Sequence, residues 1–219
     1  RSGNRMRGVA FFMAFLVFGS TATWALTPAE TRDWWVASII EDDATAYASY
    51  IKEHPTSPYV EKAHFYRAER SGRLADLRDY QEKFPSGKFE DKVNLRLYAL
   101  ETKSLDSIRQ NPRPANIQQF AKNFPETQRL PEVKQAAETR IENRKELLAA
   151  VEDAYVTAVR RKPTKQKVDD YLHDFPQTAR LQDVTEAVAA KPEVMNQVQI
   201  ELEEAHLKKM EKDPTASQA

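Results

Sequence analysis

Four histidines, His54, His64, His173 and His206, are the side chains best suited to hold a metal or move a proton near neutral pH. No two of them stand four residues apart and no H-E-x-x-H occurs, so the spacing that sets two imidazoles on one helical face for zinc is missing. His54 stands where three comparable segments carry Phe, which marks it as a ring packed under a turn. Asp42-Asp43 and Asp169-Asp170 are paired carboxylates of the kind that can divide acid and base roles. Each pair precedes or sits within a helical stretch, however, where acids near the N-terminus stabilise the helix dipole. The phosphate-cradling and nucleophile patterns G-x-x-x-x-G-K-[ST], G-x-G-x-x-G and G-x-S-x-G are absent, and the chain has no cysteine for a thiolate site or a disulfide. We therefore expect no catalytic residue, no metal, no cofactor and no enzymatic role.

One basic cluster remains, Arg160, Arg161, Lys162, Lys165 and Lys167. It reads as cations at the end of a long helix complementing its dipole, or as a patch for an acidic partner or lipid head groups. Lys+Arg and Asp+Glu both total 33, so no global basic field exists to hold nucleic acid phosphates.

The elements that carry these residues are helical. Only five glycines occur in 219 residues, too few for the turns of a sandwich or barrel, while 41% hydrophobic residues suffice for a packed core. Thr27-Pro28-Ala29-Glu30 gives an N-cap, a proline at the first helical position and a capping-box Glu, so a helix is expected over about 28–40. One phrase then recurs four times: an aromatic residue, three residues, His or Phe, and Pro. It appears as Tyr50 with His54-Pro55, Tyr80 with Phe84-Pro85, Phe120 with Phe124-Pro125, and Tyr171 with Phe175-Pro176. The two rings share a helical face and the proline forbids continuation, so each phrase is a helix end and these twelve residues are the expected packing anchors of a repeat. The last two copies also share Thr127/Thr178, Arg129/Arg180, Leu130/Leu181 and Val133/Val184. Between Glu132 and Lys162 neither Gly nor Pro occurs, and Val133, Ala137, Ile141, Leu148, Val151, Tyr155 and Ala158 keep helical spacing. The pattern predicts one long helix there, bent near Asn143.

The first copy, with Trp35, Ala46-Tyr47, Tyr50-Ile51, His54-Pro55, Ser57, Tyr59 and Ala63, resembles the tetratricopeptide-like helical repeats of bacterial envelope proteins. The resemblance covers about residues 32–190. It implies an α-solenoid of helical hairpins and binding of a protein or peptide, and no catalytic residues. Two departures stand out: no cysteine exists for a lipoprotein anchor, and Arg129 and Arg180 replace the aromatic that follows the first two turns.

Ahead of the repeats, residues 8–26 read GVAFFMAFLVFGSTATWAL without a charge or proline. As a helix this stretch spans about 28 Å, close to the thickness of a bilayer's hydrocarbon core. Arg1, Arg5 and Arg7 precede it, so the positive-inside rule puts the N-terminus in the cytoplasm and the rest across the membrane. Trp24 suits an interfacial anchor, Trp34 and Trp35 helix packing. A cleaved signal peptide is the rival reading, with small residues at Ser20-Thr21-Ala22 and Thr23-Trp24-Ala25. Ala10 and Ala14 give a small-residue pair that would suit span-to-span packing, and nothing else points to a homo-oligomer.

The sequence thus divides into a basic flank (1–7), a transmembrane helix (8–26), an all-α repeat domain (27–212) and a flexible polar tail (213–219). The function expected is that of an inner-membrane scaffold with a periplasmic repeat domain that binds a protein or peptide. The alternatives are the extracytoplasmic sensor of a single-span protein with a cytoplasmic effector before Arg1, and a secreted periplasmic repeat protein.

Overall fold

A computed structural model describes residues 26–212. The expected span, up to Ala25, and the polar tail lie outside the described residues. Within them the chain is all-helical with no strand, and no helix is long and apolar enough to cross a membrane. The helices are α1 (Pro28–Trp35), α2 (Ala44–Glu53), α3 (Val60–Ser71), α4 (Leu74–Lys83), α5 (Glu90–Gln110), α6 (Pro114–Asn123), α7 (Leu130–Glu138), α8 (Arg144–Arg161), α9 (Lys165–Asp174), α10 (Leu181–Ala189) and α11 (Pro192–Lys212).

Helix α1 begins as expected: the Thr27 hydroxyl accepts from Glu30 N at 3.1 Å while the Glu30 carboxylate accepts from Thr27 N at 2.8 Å. The helical stretch reaches about as far as expected, but its α winding ends at Trp35 and the rest widens into a π-helical turn, Val36–Glu41. Asp42 ends that turn in the left-handed region, at φ 45°, with its N–H donating to Ala37 O. Asp43 then caps α2, its Oδ1 accepting from Thr45 N and Ala46 N, both at 2.8 Å. The adjacent acids are thus a helix terminator and a helix cap.

All four aromatic-Pro phrases end a helix in the same way. His54, Phe84, Phe124 and Phe175 leave helical geometry with φ between −132° and −126° and ψ between 58° and 65°. A following proline disfavours the α region for the residue before it, which is why all four leave the helix there. Each of their N–H groups still donates to the carbonyl of the aromatic four residues earlier, at 2.8–2.9 Å. Each of their carbonyls accepts from Ser57, Gly87, Thr127 or Thr178 N three residues on, which turns the chain toward the next helix. Tyr50, Tyr80, Phe120 and Tyr171 are buried. Pro55, Pro85 and Pro176 are exposed and Pro125 half-buried, so the prolines act on the backbone and leave the packing to the rings.

The single long helix expected over Glu132–Lys162 is not formed. The chain breaks between α7 and α8, and Ile141, assigned to the apolar face, is 89% exposed in the link. Arg144 holds the break by donating from Nε and a terminal nitrogen to Glu138 O at 3.0 and 2.6 Å. Folding back buries the stripe Val133, Ala136 and Ala137 of α7 among Leu147, Val151 and Tyr155 of α8, which a continuous rod would have left to solvent.

Burial runs along the chain as three successive clusters. The first joins Ala37, Tyr47, Tyr50 and Ala63; the second Phe65, Leu77, Tyr80 and Val93; the third extends from Leu105 to Leu202. Extensive helix contacts join only elements one or two apart in chain order.

Candidate functional site

The side chains with chemical potential are, for the most part, tied into the turns. Tyr50 Oη lies 2.6 Å from the Ser57 hydroxyl, and Tyr171 Oη is hydrogen-bonded to the Thr178 hydroxyl, each pair seven residues apart. In the second copy Gly87 takes that place. A Cβ there would meet the Tyr80 hydroxyl inside contact distance and the Glu61 carboxylate at 2.7 Å, so glycine is what lets Tyr80 Oη accept from Phe89 N at 3.0 Å. Tyr80 Oη donates to Glu61 at 2.8 Å and Tyr171 Oη to Glu152 at 3.1 Å, and in both cases the acid precedes the tyrosine by 19 residues. Burial pushes the Tyr80 phenol up to about 12, and raises that of Tyr171.

The same interval separates Glu101 from Phe120, which has no hydroxyl. Glu101 Oε1 is buried and has no hydrogen-bond partner. Sequence reasoning missed this set of acids because their partners lie on other helices. The repeat register, once the phrases are aligned, is the signal that finds them.

Arg129 and Arg180, the departures from the aromatic pattern, do a related task with polar chemistry. Each ties to the acid three residues on, Arg129 to Glu132 at 2.7 Å and Arg180 to Asp183 at 2.8 Å. Each also reaches back 27 residues, to Thr102 at 2.8 Å and Asp153 at 2.9 Å respectively. In the first two copies that position is Tyr59, stacked on Trp34 at 4.7 Å, and Phe89, stacked on Phe65 at 4.4 Å. The arginine bonds hold Glu132 and Asp183 below the usual carboxylate range.

Of the histidines, His54 packs 5.0 Å from the Tyr50 ring and lies 2.9 Å from the Asp33 carboxylate. That hydrogen bond is the main cause keeping the Asp33 carboxyl below its ordinary value. Asp33, Glu53 and His54 bring one ligand atom each within 4.8 Å of one another, with Glu53 exposed. His64 is buried against Phe84 with Nδ1 at 3.0 Å from Asp79, and burial lowers its pKa. The expected basic patch is largely matched by acids. Arg160 pairs with Asp183 at 2.9 Å, Lys165 with Glu201 at 2.7 Å, and Lys162 and Lys167 face Glu126 at 3.6 and 3.4 Å. Lys167 also donates to Ala158 O at the end of α8, as the helix-end reading requires.

The outer surface carries the unengaged apolar groups. Leu95 and Tyr98 of α5 are 68% and 58% exposed, with the Arg129 guanidinium 5.4 Å from the Tyr98 ring centre. Further along α5, Tyr98, Thr102, Lys103, Asp106 and Gln110 line a shallow groove. A cavity of about 310 Å³ opens between α9 and α11, with Leu172, Phe175 and Ala205 as its apolar lining and Asp169, Glu201 and Lys209 as charged groups. Trp35, Ile39 and Ile40 form a further exposed group at the N-terminal end of the described residues. Trp35 does not pack as expected: its neighbour Trp34 takes the inward place against Tyr50 and Tyr59. No protein-family model, no curated protein and no solved structure matches the chain.

Proposed function

We propose that this protein is a membrane-anchored helical-repeat scaffold of the tetratricopeptide-like kind, which binds a protein or peptide on the non-cytoplasmic side. The observation that carries the reading is that extensive helix packing joins only elements one or two apart in chain order, with three cores in series and the same turn geometry at all four aromatic-Pro phrases. A stack of this kind exposes more surface than its core needs, and its repeated use is to present an extended binding face. The tyrosines, buried histidine and arginines at the turns serve packing, and the exposed face of α5 around Leu95 and Tyr98, lying mid-chain on one long helix, is the surface we assign to a partner. The apolar stretch 8–26 supplies the anchor and the arginines before it the orientation.

The test uses the full chain in its host membrane. Retention after alkaline washing, with a cysteine introduced at exposed Ser86 labelled by an impermeant maleimide from the non-cytoplasmic side, is the expected result. A photo-crosslinking residue at Tyr98 should give a discrete protein adduct that Leu95→Lys removes. A washed-off chain starting near Thr23 or Leu26 overturns the anchor, and the absence of an adduct overturns the α5 face as the binding surface.

A further inference from the structure

The π-helical turn gives the N-terminal end of the repeats two unlike faces. Its wider winding, with Asp42 N–H bonded to Ala37 O five residues back, sets Ile39 and Ile40 together one turn beyond Trp35. These three side chains are 65%, 58% and 56% exposed, while Trp34 and Ala37 on the other side pack against α2 and Tyr59. Three large apolar groups are thus exposed within six residues, and apolar groups gathered in this way mark an interaction surface.

The place of the patch in the chain identifies its occupant. Only eight residues lie between Leu26, the end of the uncharged stretch, and Trp35. Thr27 is extended, at φ −67° and ψ 157°, and α1 starts anew with its own cap and proline. Its eight residues extend about 12 Å, enough for the patch to reach the headgroup layer that flanks the hydrocarbon core while the chain stays tethered. Trp and aliphatic residues are the types that settle in that layer.

We infer that Trp35, Ile39 and Ile40 dock on the lipid surface next to the membrane anchor, so that the first helix lies along the bilayer and fixes the tilt of the repeat stack above it. The inference rests on the anchor reading. The occupant is the acyl and headgroup boundary, not anionic charge, because Asp33 already pairs with Arg32 and Glu41 borders the patch.

The natural absence of cysteine makes the test direct. Full-length Ile39→Cys and Ile40→Cys chains carrying an environment-sensitive fluorophore are reconstituted in phosphatidylcholine vesicles, with labelled Ile141→Cys as the water-exposed reference. Both N-terminal probes should be blue-shifted and quenched about fivefold more strongly by lipids brominated near the headgroup than the probe at 141, with little effect of salt. A chain retained in the vesicles whose probes at 39 and 40 match the one at 141 overturns the docking and leaves the anchor standing. A blue-shifted probe that brominated lipid does not quench means that protein covers the patch, which also overturns it. A chain that washes off the vesicles at alkaline pH overturns both.

Discussion

Glu101 illustrates how a repeat can be read residue by residue. In two copies a tyrosine hydroxyl crosses to an acid 19 residues earlier, and in the third the acid is kept while the hydroxyl is missing. A buried carboxylate oxygen without a donor is costly, whereas a hydrogen bond to a charged acceptor is among the stronger ones. The fourth copy offers a template for the missing group, because Tyr171 fits fully buried beside Thr178, the counterpart of Thr127. Phe120→Tyr should therefore stabilise the protein, by about 1 kcal/mol after the hydroxyl's own desolvation. Thermal unfolding of the two chains checks this, and a lowered melting temperature would mean that the third copy has closed the space its neighbours leave open.

At the scale of elements, what was legible in the sequence was local chemistry. The Thr27-Pro28-Glu30 start and the four ring-to-proline helix ends need only backbone rules and a few adjacent residues, and all five appear. The bend expected near Asn143 falls at the start of α8, but the full break between α7 and α8 was not legible, because no glycine or proline marks it and helical spacing runs across it. Its cause is tertiary, since two short amphipathic helices bury more by facing each other than one long helix does alone. The outward turn of Trp35 was hidden for a similar reason, because α periodicity gives no notice of a π turn. Among the candidate site residues, the rings could be found from spacing, and the acids that serve their hydroxyls could not, lying on other helices. The break makes a clear prediction: Ile141→Asp should change stability by no more than about 0.5 kcal/mol, because the side chain is almost wholly exposed. A loss of several kcal/mol in denaturant unfolding would instead put Ile141 on a buried face, as the continuous helix requires.

At the scale of the whole molecule, packing that extends no further than one or two elements along the described chain determines how far damage travels. Phe84 is half-buried, its ring 5.3 Å from both His64 and Tyr80, and it belongs to the second cluster with Phe89 and Val93. Complete burial would make Phe84→Ala cost roughly 3–5 kcal/mol; with partial exposure about 2–3 kcal/mol is expected. In a globule with a single core that loss would lower protection everywhere. Here the second cluster and the third share only partly buried Leu74 and Leu100 among their apolar neighbours and are joined through α5, so the loss should concentrate in α3, α4 and α5 and fade toward α11. Amide hydrogen exchange on the full chain separates the two cases. Faster exchange in α3 to α5 with α9 to α11 unchanged is the expected pattern, and an equal loss of protection in α9 to α11 would mean that the repeats unfold as one cooperative body.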